Sequence, residues 1–253
     1  MSGSEAIWGR NVVLSALESQ RPINKILIAS GGHGRELALI RELARAQGIP
    51  VEETDRRRLD ELAGGGSRHQ GVLALTAPRP YVEVADLLEK ARQAGEPPLL
   101  LLLAHVEDPR NLGAAARSAA AAGAHGLIIP SRRAAQVTAA AEKTAAGALS
   151  FLPVARVRNL AHCLAELKAE GLWAVGADMD GETVYYEADL TGPIVVVVGG
   201  EDKGLGPLLK RECDLTVRIP LVGPVPSLNT AVAASLLLYE ILRQRRSRTS
   251  AKR

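Results

Sequence analysis

Leu99-Leu100-Leu101-Leu102-Leu103 is apolar at every position. A strand with no polar face belongs inside a parallel sheet covered by helices on both sides. Working outward, apolar residues then recur at helical spacing over 112–122, and a second apolar strand follows at 126–129. Strand, helix, strand in this order is a βαβ unit. Further strands are expected at 151–155, 172–176, 194–198 and 215–219, with helices near 159–170, 205–211 and 228–245. The fold class is α/β with a parallel sheet.

Upstream, residues 25–30 read as a buried strand and 35–47 as an amphipathic helix ended by Gly48 and Pro50. A strand at 51–54, a polar helix at 57–62, the break Gly64-Gly65-Gly66 and a strand at 71–76 complete a small α/β unit over 1–77. Pro78 and Pro80, a helix at 82–94 and Pro97-Pro98 read as a linker over 78–97. The larger domain then runs over 98–245, and 246–253 is a basic tail.

The chain has 253 residues, 31 basic against 28 acidic, and 47% hydrophobic residues, which excludes disorder as its main state. The six basic residues of 243–253 have no acidic neighbour in that stretch and account for the whole excess, while 98–242 holds 12 basic and 15 acidic residues. Seven aromatic residues argue against base stacking on an aromatic sheet. Cys163 and Cys213 stand far apart without metal-ligand spacing, so reduced, buried thiols are expected. The longest apolar run, 99–104, is far short of the ~20 residues of a membrane span, so no membrane partner and a cytoplasmic location are expected.

Common phosphate signatures fail: Leu205 stands where a P-loop needs its lysine, and no GxGxxG follows the first strand of the larger domain. Three other segments place polar residues just after a buried strand, where open α/β sheets bind ligands. They are Asp108-Pro109-Arg110-Asn111-Leu112-Gly113 with Arg117 on the helix that follows, Gly199-Gly200-Glu201-Asp202-Lys203-Gly204-Leu205, and Ile219-Pro220-Leu221-Val222-Gly223 with Ser227-Leu228-Asn229-Thr230-Ala231. Each residue alone has a plain structural reading. Asn111 and Ser227 precede helical runs and fit N-caps, Arg117 fits a solvated helix position, and Glu201 fits the start of a helix. The five histidines form no HxH or HExxH pair, so no metal is expected. His69 fits either a functional surface or a local hydrogen bond, and Arg56-Arg57-Arg58 either RNA phosphates or a solvated face.

Together, in this order and spacing, the three segments resemble the motifs of the SpoU/TrmH family of RNA 2′-O-ribose methyltransferases. Ile7-Trp8-Gly9-Arg10-Asn11-Val12-Val13 and Arg68-His69-Gln70-Gly71-Val72 resemble the two ends of that family's N-terminal RNA-binding domain. The subgroup most similar is the bacterial guanosine 2′-O-methyltransferase of large-subunit (23S) ribosomal RNA; Ala231 stands where many relatives carry serine. The resemblance implies a C-terminal trefoil-knotted (SPOUT-type) parallel-sheet domain, an L30e-like N-terminal domain, S-adenosylmethionine as cofactor, ribosomal RNA as partner and a homodimer. It implies catalytic or orienting roles for Arg117, Glu201, Ser227, Asn229 and Asn111, and cofactor contacts for Gly199, Gly200, Ile219, Leu221 and Leu228. The alternatives are a tRNA ribose methyltransferase and an RNA-binding module without catalysis.

Overall fold

The computed structural model describes residues 5–64, 68–77, 80–200 and 204–250. The chain forms two compact units, one drawing on residues up to Pro80 together with Val137–Phe151, the other on Tyr81–Gln136 and the chain from Leu152 onward.

The first unit contains β1 (Glu5–Trp8), α1 (Arg10–Glu18), β2 (Ile23–Ala29), α2 (Arg35–Ala46), β3 (Val51–Thr54), α3 (Arg56–Leu62) and β4 (Val72–Thr76). Its sheet has the order β1-β4-β2-β3, with β4 antiparallel to both neighbours and β3 parallel to β2. One sheet face packs Ile26, Ile28, Val72 and Ala74 against Val13, Leu17, Leu37 and Ile40 of α1 and α2; the other packs Leu27 and Leu73 against Leu59 of α3. The sequence reading lacks β1 and α1, because a four-residue strand and a nine-residue helix joined through Gly9 give too few repeats to register as periodicity.

The second unit opens with α4 (Val84–Ala94), followed by β5 (Leu99–Leu103), α5 (Pro109–Ala121) and β6 (Gly126–Pro130). The chain then contributes α6 (Ala139–Ala145) and a 3₁₀ turn at Ala148–Ser150 to the first unit. It resumes with β7 (Val154–Val157), α7 (Leu160–Ala169), β8 (Trp173–Ala177), β9 (Thr183–Val184), β10 (Ile194–Val198), α8 (Gly206–Glu212), β11 (Leu215–Arg218) and α9 (Thr230–Ser250). The seven strands are all parallel, in the order β7-β6-β5-β10-β8-β11-β9. β5 and β10, buried at every residue, pair in register at the centre. Leu100, Leu102, Val195 and Val197 face α4, α7 and α8. By alternation, Leu101 and Val196 face the opposite side, where α5 and α9 pack together.

Several expectations are corrected. The helix read as linker buries Leu87, Leu88 and Ala91 in the core of the second unit. The strand expected at 151–155 begins only at Val154, because Phe151 ends the 3₁₀ turn and stands half exposed. The basic tail expected from 246 is helical to Ser250 as the end of α9. Just before it, Arg245 donates to the carbonyls of Pro97, Pro98 and Gly192 at 2.7–3.0 Å. Cys163 and Cys213 are free thiols, pushed by burial up to about 11 and about 12, and so stay protonated.

Within the first unit, Arg21 Nη1 donates to Glu142 Oε1 of α6 at 2.8 Å, with both side chains buried. Removing one partner of a buried pair leaves an uncompensated charge, whereas replacing both with apolar groups is often tolerated. Glu142→Ala is therefore expected to destabilise this unit by about 3 kcal/mol, and the double variant Arg21→Met/Glu142→Leu by much less. Chemical denaturation followed through the first unit's Trp8 would test this, and equal losses in the two variants would refute it.

Candidate active site

The carboxyl ends of β8, β10 and β11 frame a cavity of about 320 Å³ in the second unit, within the usual size range for small-ligand sites. This is also where the order of the strands departs from the order of the chain. β10 is laid down after β8 yet sits between β5 and β8, and open parallel sheets bind ligands at such a switch.

The floor is main chain. A Cβ on Gly199 would lie 1.9 Å from the Gly204 carbonyl oxygen, and one on Gly200 would lie 2.7 Å from the His105 carbonyl oxygen. Neither position admits a side chain. Gly204 N–H donates to the Gly200 carbonyl at 3.0 Å, and Gly204 takes a positive φ of 55°. Thr230, buried at the start of α9, donates through Oγ1 to the Gly199 carbonyl at 3.2 Å. Ile219, Leu221 and Leu228 supply apolar wall, and Ser227 adds a hydroxyl at the lining.

Of the residues singled out in the sequence, Gly199, Gly200, Ile219, Leu221, Leu228 and Ser227 line this one cavity. Asn229 and Asn111 meet: Asn229 Nδ2 donates to Asn111 Oδ1 at 3.0 Å. That bond ties the segment lining the cavity to the first turn of α5. Asn229 Oδ1 accepts from the N–H groups of Ala231 and Val232, at 2.9 and 3.4 Å. Asn229 is therefore the cap of α9, and Asp108, accepting from Arg110 N–H at 2.8 Å, caps α5. The capping roles considered for Ser227 and Asn111 fall instead to these neighbours. Arg117 is exposed on α5 outside the cavity lining, and among the described residues its guanidinium has no hydrogen-bond or ion-pair partner. Glu201 lies outside the described residues.

The sequence reading missed the edge formed by the turn after β8. Asp178, Met179 and Asp180 line the cavity there, with Lys210 Nζ bonded to Asp178 Oδ1 at 2.8 Å. The signal was present, since Asp178 follows a buried strand as the other motifs do, but a single acid without a motif around it carries little weight. The Asp178 hydrogen bond, then its charge, raises the Lys210 ammonium above its ordinary value. A raised lysine contributes stability that is fully present below its unfolded value and lost as pH climbs through the folded one, so the pair is intact at neutral pH. In the first unit His69 resolves to the local reading: buried, it accepts from Gly71 N–H through Nδ1 and faces Asp60 Oδ1 through Nε2, each at 3.1 Å. No group of His, Cys, Asp and Glu side chains able to hold a metal occurs among the described residues.

Residues 98–239 match the SpoU rRNA Methylase family, and residues 6–82 match the RNA 2′-O ribose methyltransferase substrate-binding family. The chain belongs to the SpoU methyltransferase family. It is 41% identical over 94% of its length to YacO of Bacillus subtilis, assigned to the TrmH family of tRNA/rRNA methyltransferases, and covers 95% of that protein. Among solved structures, it resembles the SpoU methyltransferase AviRb of Streptomyces viridochromogenes in complex with AdoMet, with a TM-score of 0.81 and 28% identity over 97% of this chain and 92% of that one. The AdoMet-bound rRNA methyltransferase of Sinorhizobium meliloti superposes with a TM-score of 0.78 at 26% identity, over 95% of this chain and 87% of that one.

The asparagine pair separates capping from bridging in this SpoU chain. Asn229→Ala removes both the cap and the link to α5, and is expected to cost about 1–2 kcal/mol. Asn111→Ala leaves the cap in place and is expected to cost less. Thermal unfolding of the two variants would check the order, and a larger loss for Asn111→Ala would overturn it.

Proposed function

We propose that this SpoU methyltransferase modifies the ribose 2′-hydroxyl of a guanosine in large-subunit ribosomal RNA, using S-adenosylmethionine as methyl donor. The observation that carries the reading is the cavity itself: residues from two of the three motifs line it, and Asn229 bonds it to the third. Its composition fits the donor. Main chain at Gly199 and Gly200 allows close approach, Ile219, Leu221 and Leu228 offer apolar wall to an adenine, and Asp178 brings a carboxylate to the lining. Bound there, S-adenosylmethionine supplies a methyl group activated on a sulfonium.

The 2′-hydroxyl is a poor nucleophile, so the chain's own residues must place it and accept its proton as the new oxygen–carbon bond forms and the sulfur–carbon bond breaks. Positioning contributes up to about 7–11 kcal/mol in well-oriented reactions. The exposed guanidinium of Arg117, which carries donors and no acceptor site, suits a phosphate and its adjacent ribose rather than the proton. Ser227, Asn229 and Glu201 offer a hydroxyl, an amide and a carboxylate to orient the nucleotide, and Asn111 braces Asn229.

Ribosomal RNA as the substrate is supported by the description of the matching family and of the Sinorhizobium meliloti structure. The exposed apolar side chains Val222, Val225, Val232 and Tyr239 support a homodimer that covers them. The trefoil knot and a cytoplasmic location belong to the same reading; no helix among the described residues is long and apolar enough to cross a membrane.

Incubating the protein with labelled S-adenosylmethionine and separate pools of rRNA and tRNA, then mapping resistance to alkaline cleavage, tests the assignment. Label at a guanosine of large-subunit RNA is expected. Label confined to tRNA would overturn the substrate, and none in either pool would overturn the enzyme. Arg117→Ala is expected to lower transfer at least about 100-fold while leaving S-adenosylmethionine affinity within about twofold; near-normal turnover would remove Arg117 from the reaction.

A further inference from the structure

We infer that Arg132, Arg133 and Arg158 form a phosphate-binding rim at the carboxyl edge of β6 and β7, holding the RNA backbone on the methyltransferase unit; this rests on the RNA reading above. Arg132 and Arg133 follow β6 and Arg158 follows β7, all three exposed. The two strands are paired, with Pro130 opposite Val157, so the arginines emerge from neighbouring strand ends about 5 Å apart. β5 lies next in the sheet and leads into α5, where Arg110 and Arg117, seven residues apart, share one helix face. The Asn111–Asn229 bond joins the same helix to the cavity. Arg110 is ion-paired to Asp108 at 3.1 Å, so the charge that continues from the two strand ends toward the site is that of Arg117.

A solvated charged surface is the plain alternative, and the placement of these arginines on a built loop of an acidic unit speaks against it. Some exposed cations elsewhere on this protein meet acids, as Arg10 meets Glu36 and Arg92 meets Glu170, and others, such as Arg45, Lys143 and Arg211, form no ion pair among the described residues. Among the described residues, Arg132, Arg133 and Arg158 have no side-chain partner. Residues 98–242 carry more acid than base, with Asp178, Asp180 and Glu182 gathered after β8. The arginines therefore cluster on one half of an acidic unit.

The platform beneath them is also built. Ser131 N–H donates to the Val157 carbonyl at 2.8 Å, and Arg156 Nη2 donates to the Ser131 carbonyl at 3.0 Å. The Arg156 guanidinium lies 4.7 Å from the centre of the Tyr81 ring, whose hydroxyl reaches Gln136 at 3.3 Å. Ala135 N–H donates to the Val106 carbonyl at 2.7 Å. Arg133 itself takes a positive φ of 54°, a conformation uncommon for a residue with a side chain. The loop is held on both sides in a shape its own residues do not favour.

The test uses the full chain and a fluorescent RNA hairpin, with binding followed by anisotropy across a potassium chloride series, on the wild type, an Arg132→Gln/Arg133→Gln/Arg158→Gln variant and the corresponding triple lysine variant. Each lost phosphate contact lowers the slope of log affinity against log salt by about 0.7–0.9. The glutamine variant is therefore expected to lose about 2 in slope and about 100-fold in affinity near 0.1 M salt, with S-adenosylmethionine affinity unchanged. The lysine variant is expected to retain most of the binding. An unchanged slope in the glutamine variant, or equal loss in both variants, would overturn the rim. Salt-dependent RNA binding by a wild type that methylates no RNA would overturn the enzyme reading and leave the rim standing.

Discussion

Everything in the second unit converges on one piece of backbone too crowded for a side chain. At Gly199 the chain leaves the central strand β10 and passes within van der Waals contact of its own return at Gly204, while Thr230 closes over it from the start of α9. Two segments far apart in sequence meet there, through the Thr230 hydroxyl on the Gly199 carbonyl. A ligand in the adjoining cavity accordingly meets carbonyls, amides and apolar side chains. That environment suits a flat, neutral ring.

The same unit separates two chemically different surfaces across the sheet. The half built from β8, β10 and β11 is apolar at the cavity and acidic at its edge, where Lys210 neutralises Asp178. The half built from β5, β6 and β7 ends in arginines. Between them stands the Asn229–Asn111 bond, which couples the cap of α9 to the first turn of α5. The long-range field of this surface is local rather than global, because the unit as a whole is not basic.

Much of this was legible in the sequence where the physical signal is strong and short-ranged. Strands buried on both faces, such as Leu99–Leu103 and Ile194–Val198, announce a parallel sheet without alternation to confuse them. The glycines at 199 and 200 and the Ser227-Leu228-Asn229 stretch were found from their placement after strands. What escaped depends on long-range packing. The helix read as a linker has an ordinary amphipathic pattern, and nothing local tells that Leu87 packs in the sheet core rather than against a separate surface. Asn111, Ser227 and Asn229 all have capping chemistry, and only the observed helix start shows which one uses it. Likewise nothing local marks Arg245, the last residue before the expected tail, as structural until the carbonyls it satisfies are seen.

The placement of α6 carries a consequence for biosynthesis. The first unit is discontinuous, borrowing Val137–Phe151 from beyond β5 and β6. Gly147 packs so closely that an added Cβ would lie 2.2 Å from Ser15 Oγ, and Glu142 is the buried acid that Arg21 faces. As the chain emerges from the ribosome, residues 6–75 therefore hold both apolar core clusters of the first unit, but Arg21 still waits for Glu142. The segment that completes the unit is in place only once Phe151 has been translated, by which time two strands of the second sheet are already waiting for the rest of theirs. The two units are separate as folded objects, yet their assembly is interleaved in time.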